Sequence, residues 1–482
     1  MASLIQRIAT RLGYVPAALV RADQERNAMA VAGRVLAHAA AHQRSLVAAL
    51  TTHDVASWQE DGAHINTETA SGLAVVRARS RGAARNNEFA KRFLGMVRSN
   101  VLGPTGVRYQ SRLRTAGGKL RTADNDRLES FWCAAGKTGV WDITGRYSRA
   151  VFDRIALRHV VVDGECFVRV RVGRGPMGVQ FQLLTADAVP LTTHMDLSGG
   201  RRVRQGIEFD NDGRVLAYYL RGDDATQDLA GAVGAVSTHR LQRVPAEEML
   251  HFFLPEEAGQ LRGLPWMSAA LKRMHQASDF ASAGLNKARE AAKRGGFIQP
   301  DKDAPIGDGN PAVLAEGATT AEQDAAAANA AAYGTLHDGT WEKLLPGEVA
   351  LPFESNYPNI EYGQFIKDCT RGIASALDCA YFTLGNDLEA VNYSSGQLGV
   401  EGERTMWMTL QTWWIDTATV PMHRICLKYG MVVAPQLQGL AYDKLDQYAE
   451  AARWQAHRWQ PIDLLKTTEG QRSRIEARLT SP

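Results

Sequence analysis

The chain has 482 residues, 45% of them hydrophobic and 22% charged, proportions that exclude wholesale disorder, collagen-like repeats and a polytopic membrane protein. Its 55 Lys and Arg against 52 Asp and Glu give a formal net charge of +3, too small for whole-chain charge to name nucleic acid as a partner. Five cysteines without a CxxC pair suggest neither a disulfide framework nor a ribbon-type zinc site, and they fit a reducing compartment.

In chain order, Met1 to Ala22 interleaves Leu4, Ile5, Ile8 and Leu12 with Arg7 and Arg11. This predicts a short amphipathic helix, since a signal peptide needs a continuous apolar centre. No window approaches the roughly 18 to 20 apolar residues of a membrane span. From Arg77 to Arg127, 13 Lys and Arg stand against 3 acids, a local charge of +10. Such a block is ordinarily a solvated face, and it also suits contact with DNA.

Residues 151–253 read as mostly strands and turns. Val160 to Val162 and Phe167 to Val172 are rich in β-branched residues, and Asp210-Asn211-Asp212-Gly213 sits between the two alternating runs of Gly206 to Leu220, which predicts a hairpin. Pro265 then opens an unbroken segment to Arg294 that Gly295-Gly296 stops, a predicted helix of about 45 Å. Its small and apolar positions, Met267, Leu271, Met274, Ser278, Ala281, Leu285, Ala288 and Ala292, alternate by four and three. That seam suits equally a helix inside a bundle and one that meets a neighbouring chain.

Gly296 to Phe353 carries 2 Lys against 9 acids, a local −7, with Ala325 to Ala332 predicted helical. A second helix is predicted from Glu361 to Ala380 on the stripe Tyr362, Ile366, Cys369, Ile373, Leu377 and Ala380. Glycine and small polar residues interrupt at Leu384 to Ser395. Ser394 or Ser395 then caps a third helix, which Pro421 should end near Thr419. Tyr442 to Trp459 predicts a further amphipathic helix, and the chain beyond Arg472 a frayed tail.

Most chemical motifs fail on their context. Gly136-Lys137-Thr138 resembles the end of a phosphate loop, but Phe131 occupies the place of the earlier glycine and Asp126 to Ser130 reads as helix, not strand. Gly173 to Gly178 matches a dinucleotide pattern, yet Val179 to Leu184 returns as strand, so a turn is expected. Asp210, Asp212 and Gly213 suggest a calcium loop in which Tyr219 stands where the bidentate glutamate is needed. There is no HExxH and no G-x-S-x-G elbow. His251 is expected as a packed strand residue, and Trp407, Trp413 and Trp414 as helix-packing core.

Four segments together carry a resemblance: Ser99 to Gly106 (SNVLGPTG), Pro245 to Phe253 (PAEEMLHFF), Gly259 to Trp266 (GQLRGLPW) and Val391 to Ser395 (VNYSS). Over roughly Asn87 to Lys428 their order and spacing resemble the lambda-type portal proteins of tailed bacteriophages. The resemblance implies an α+β portal-type fold with an α/β wing, a long-helix stem, a small clip and a helical crown region, assembled as a ring usually of twelve subunits. Residues 1–265 would form an N-terminal segment and wing, 266–294 the first stem helix and 295–357 the acidic clip. The second stem helix would be 358–380, the tunnel loop 381–395, and a helical wing and crown region with the tail 396–482.

It further implies no catalysis and no cofactor. Double-stranded DNA would pass through the channel, the terminase large subunit would dock on the clip, and the major capsid, scaffolding and head-tail adaptor proteins would be neighbours. The place implied is one vertex of the virion, reached by assembly in host cytoplasm without a membrane. Asn386, Asp387, Glu389, Asn392 and Tyr393 are the expected channel-lining residues of the loop, with Lys272, Lys287, Arg289, Lys293 and Arg294 as DNA-facing candidates on the stem. Two other classes stand beside this one: a nucleotide-dependent enzyme built on Lys137 and Thr138, and a DNA-binding protein using the basic 77–127 region.

Overall fold

The computed structural model describes residues 64–221, 241–292, 296–300, 348–352, 361–389, 392–459 and 464–477. The expected helices at Met1 to Ala22 and Ala325 to Ala332 lie outside these residues. From Ile65 the chain forms α1 (Ile65–Asn86) and α2 (Glu88–Val97). α1 buries Ile65, Thr69, Leu73, Arg77, Ser80 and Ala84; that spacing marks one helical face, and it carries an arginine at its middle. Asn87 starts α2 by accepting the Ala90 N–H on its side chain at 3.1 Å, the usual service of an N-cap. A π-turn at Arg98–Leu102 leads to β1 (Arg108–Ser111), α3 (Thr122–Ala135) and α4 (Arg149–Asp163).

The β-rich middle comprises β2 (Glu165–Val172), β3 (Val179–Leu184), β4 (Met195–Asp196), β5 (Arg202–Arg204), β6 (Ile207–Phe209), β7 (Val215–Arg221), β8 (Leu241–Pro245) and β9 (Met249–Phe253). They make two antiparallel sheets, ordered β3-β2-β9 and β4-β5-β6-β7-β8. Side chains of a strand alternate between faces, and β2 divides its own accordingly. Cys166, Val168 and Val170 enter the larger core, while Phe167 enters a smaller one with Ile207, Tyr218, Val244 and Met249.

The expected hairpin is β6–β7. Asp210 holds its turn by accepting the Asp212 and Arg214 N–H groups at 3.0 and 2.8 Å, so these acids serve the turn. Gly173 to Gly178 is likewise the β2–β3 turn, closed by Gly173 N–H to Gly178 C=O at 2.8 Å. Helix α3 immediately precedes Gly136-Lys137-Thr138, which removes the strand a phosphate loop requires.

Beyond β9 come α5 (Ser268–Ala292), β10 (Gly296–Pro300), β11 (Glu348–Pro352), α6 (Glu361–Ala376), α7 (Tyr381–Gly385), α8 (Tyr393–Trp414), α9 (Val420–Val433), α10 (Leu445–Glu450), β12 (Ala452–Gln455) and α11 (Leu464–Glu476). Among the described residues no helix is long and apolar enough to cross a membrane, and no group of three or more potential ligands could hold a metal ion.

Several local expectations are corrected. Val160 to Val162 end helix α4 instead of forming a strand; all three are buried, and burial on every side overrides the β preference of branched side chains. Pro421 does not end the third helix. A π-turn at Ile415–Thr419 joins α8 to α9, and this register shift accommodates the missing proline N–H and its ring. α8 starts at Tyr393, so Ser394 and Ser395 lie in its first turn. Within Tyr442 to Trp459 only α10 is α-helical; Ala452–Gln455 pairs antiparallel with β1 as β12, since Ala-Arg-Trp-Gln alternates with period two. The segment after Arg472 continues as α11 to Glu476.

Inside the larger core α4 carries a carboxyl without a hydrogen-bond partner for its Oδ1, Asp153. Burial raises its pKa to about 7, against the opposing pull of Arg149. A carboxyl raised above its unfolded value of 3.8 favours folding when protonated, so stability is lost as pH rises from about 4 and the loss is complete above 7. Asp153→Asn is therefore expected to add about 2–4 kcal/mol at pH 8 and little at pH 4. Urea denaturation at the two pH values measures this, and an equal gain at both would exclude the titration as its cause.

Candidate functional site

Three of the segments singled out in the sequence meet at one buried carboxylate. Helix α4 ends in Gly164, whose φ of +88° places it in the left-handed region that glycine enters freely. A Cβ there would lie 2.3 Å from the Gly263 carbonyl oxygen, and one on Gly263 would lie 2.1 Å from that of Gly164. Two glycines thus let the backbones cross at contact distance, which sets Glu165 beside Arg262.

Both side chains are fully buried. Glu165 accepts from Arg262 Nε at 2.8 and 3.0 Å, from the Gly263 N–H at 3.2 Å and from Arg77 of α1. His251 Nε2 of β9 lies 2.9 Å from its other oxygen. Arg262 spends its remaining donors on the Gln205, Ala186 and Val189 carbonyls at 2.6, 3.2 and 3.1 Å. Burial alone would raise the Glu165 carboxyl; the Arg262 and Arg77 guanidiniums overcome it and hold it well below the usual carboxylate range. His251 is a packed strand residue, as expected, but it has partners in this cluster that its sequence context does not show.

Downstream, α5 and α6 contact each other and flank the antiparallel pair β10–β11, in which Gly296 faces Pro352 and Pro300 faces Glu348. Met267 just before α5, then Ala270, Met274 and Ala277, are buried, whereas Leu285 is 53% exposed. Among the described residues the fully buried positions of the expected seam lie at its N-terminal end. Phe280 stacks on Tyr362 at 5.5 Å and meets Phe365 at 4.4 Å, yet Phe280 and Phe365 remain 40% and 47% exposed. Lys272, Lys287 and Arg289 are exposed on α5; Lys293 and Arg294 lie outside the described residues.

After α6 the chain turns through α7 into irregular residues 386–389 and 392. Asn386 begins them in the left-handed conformation, φ +52°, and is exposed, as is Asn392. Asp387 accepts from the Tyr381 hydroxyl at 2.5 Å and from the Glu389 N–H at 3.1 Å. Lys367 of α6 reaches back to Asp387 at 3.4 Å and to Glu389 at 3.2 Å. The Tyr381 hydroxyl, foremost, holds the Asp387 carboxyl below its ordinary range, and Glu389 and Asp387 raise the Lys367 ammonium.

The structure thus brings Asp387 and Glu389 together around a lysine absent from the sequence candidates. Tyr393 is the first residue of α8. The other anchor of this turn is Glu403 of α8, which accepts from Thr383 Oγ1 at 2.6 Å, the Ala380 N–H at 3.2 Å and Trp407 Nε1 at 2.9 Å. Arg92 of α2 donates to the Thr383 carbonyl at 3.1 and 3.0 Å. A carboxylate one turn from a tryptophan on the buried face of a helix was the available signal for Glu403. Lys367 carries no such periodic mark.

The basic 77–127 region does not form one free stripe. Arg77 is buried on Glu165, Arg81 pairs with Asp163 and Asp187 at 2.6 Å each, Arg121 pairs with Asp124 at 2.5 Å, and Arg114 donates to the Gly118 carbonyl at 2.8 Å.

Residues 51–411 match the family described as phage portal protein, lambda family. The chain is 29% identical over 413 residues to a probable portal protein of Halomonas phage phiHAP-1, an alignment that covers 83% of this chain and 74% of that one. Among solved structures it is similar to a chain in the neck of an empty gene transfer agent particle, with 14% identity, 88% and 93% of the two chains covered and a TM-score of 0.45. A chain of the native gene transfer agent virion gives 13% identity, 89% and 93% coverage and a TM-score of 0.43.

Proposed function

Because the chain belongs to the lambda family of phage portal proteins, we propose that identical copies close side by side into a ring, twelve in number, at one vertex of a phage head. Double-stranded DNA enters through the hole during packaging and leaves through it at ejection. The observation that carries this reading is the family match over residues 51–411, which contains both long helices and the acidic segment between them.

The surface of the single chain supports it. Leu285, Phe280 and Phe365 stand half exposed along the α5–α6 pair, where a neighbouring copy in a closed, heterologous ring would cover them. In this arrangement α5 and α6 form the stem, and the acidic 295–357 segment forms a clip on which the terminase large subunit docks. The β-rich block forms the wing, and capsid, scaffolding and head-tail adaptor proteins meet the outside.

The channel physics follows from charge. Each copy adds the −7 of Gly296 to Phe353 to a negative collar that repels phosphates, so DNA slides without sticking. Screening falls off over about 8 Å at physiological salt, so only groups at the lumen matter. Asn386, Asp387, Glu389, Asn392 and Tyr393 are assigned to that surface, with Lys272, Lys287, Arg289, Lys293 and Arg294 steadying phosphates along the stem. With Lys367 balancing one of its two acids, the loop presents a small net negative charge.

The test is the mass of the purified assembly by light scattering together with electron microscopy. A ring near twelve times 52.7 kDa, open at its centre and without ATP hydrolysis of its own, is expected. A stable particle of one chain, or hydrolysis lost on Lys137→Ala, would overturn the proposal.

A further inference from the structure

The cleft between α2 and α4 is a cavity of about 440 Å³ whose lining includes no residue of the loop or the stem. Lys91 and Arg98 line it from the α2 side, Arg154 and Arg158 from α4, and no carboxylate is among its lining residues. Its lining is otherwise mostly apolar, with Leu94 and Ile155 among the lining residues and Val151 39% exposed.

Arg154 is fixed: its Nη2 donates to the Pro104 carbonyl at 2.6 Å. Among the described residues the side chains of Lys91, Arg98 and Arg158 make no hydrogen bond or ion pair. Arg154 and Arg158 are one turn apart on the same helix, a like-charge spacing that destabilises an isolated helix by a few tenths of a kcal/mol.

Four cations in an otherwise mostly apolar lining set two requirements on an occupant. It must bring negative charge to both walls and apolar surface to the middle. A DNA backbone meets only the first, because its phosphates stay hydrated and gain nothing from Leu94 or Ile155. A helix with an apolar stripe flanked by glutamates or aspartates meets both, and helix-in-groove docking is a common way to bury such a stripe. Its carboxylates would stand one turn apart, about 6 Å, against Arg154 and Arg158, and two turns apart, about 10 Å, against Lys91 and Arg98.

We propose that this cleft docks an acidic amphipathic helix of a partner protein. Charge complementarity would speed the encounter and select the partner, while burial of the stripe would hold it. The proposal stands apart from the channel reading, because none of these residues belongs to the loop or the stem.

The experiment uses the assembled full chain and three fluorescent probes: a designed helical peptide with a leucine stripe flanked by glutamates, the same peptide with glutamines, and a short DNA duplex. Binding of the glutamate peptide is expected to weaken with salt, to exceed that of the glutamine peptide and the duplex by about tenfold, and to fall by about tenfold or more in Arg98→Glu with Arg158→Glu. Particle mass and circular dichroism check that the variant is intact, and Arg98→Gln with Arg158→Gln gives a milder form that should show part of the loss. Peptide binding indifferent to these changes overturns the proposal. So does duplex binding that is as tight and depends on the same arginines, which would mark a phosphate site. Loss of assembly in both variants overturns it too, because the cleft would then be a joint between copies.

Discussion

Arg262→Ala is expected to lower stability by about 3–5 kcal/mol, the range for removing one member of a buried charged cluster. The cost arises because Glu165 is left in the core with fewer donors, and because the Gln205, Ala186 and Val189 carbonyls lose theirs. Arg262→Lys should restore little, since an ammonium cannot serve the carboxylate and three carbonyls from one planar fork. Urea denaturation and hydrogen exchange across β2 measure the effect; a loss under about 1 kcal/mol would mean the cluster relaxes around the gap.

The same cluster fixes a pH dependence. Glu165 and His251 both have folded pKa values below their unfolded ones of 4.5 and 6.5, so the unfolded chain binds more protons. Their contribution is complete above about pH 6.5 and is lost as pH falls, first through the imidazole and then through the carboxylate. The deficit of the Arg262→Ala protein should therefore shrink toward acid pH.

Deleting Asp387 to Val391 is the second large effect, on function in place of stability. Rings should form at normal mass, because α6, α7 and α8 are held by Glu403 and by Arg92 independently of the loop's tip. Packaging of DNA, or its retention in filled heads, should be abolished if the stretch lines the channel as proposed. Failure of the rings themselves would move the stretch from the lumen to an interface between copies. Lys367→Ala, which leaves Asp387 and Glu389 without their cation, is the point variant that changes the charge of the loop without shortening it.

Much of this architecture was legible along the chain because it is local. The α5 segment has a proline before it and glycines after it, and Asp210 to Gly213 satisfies the hairpin turn from its own side chain. The failures are also physical. Val160 to Val162 look like strand and lie in α4, where packing buries all three. Ala452–Gln455 finds its partner in β1, far away in sequence, which no local pattern announces.

What the sequence by itself determined is the order of the elements, the acidic segment between the two long helices and the family those segments mark. Only the tertiary structure decided which charges are spent inside the molecule: Arg77, Arg262 and His251 on Glu165, and Lys367 on Asp387 and Glu389. A charge in a sequence has a sign but no dielectric and no neighbour. Burial and distance supply both, and they separate the arginines that hold the fold together from those, such as Arg98 and Arg158, that remain facing outward.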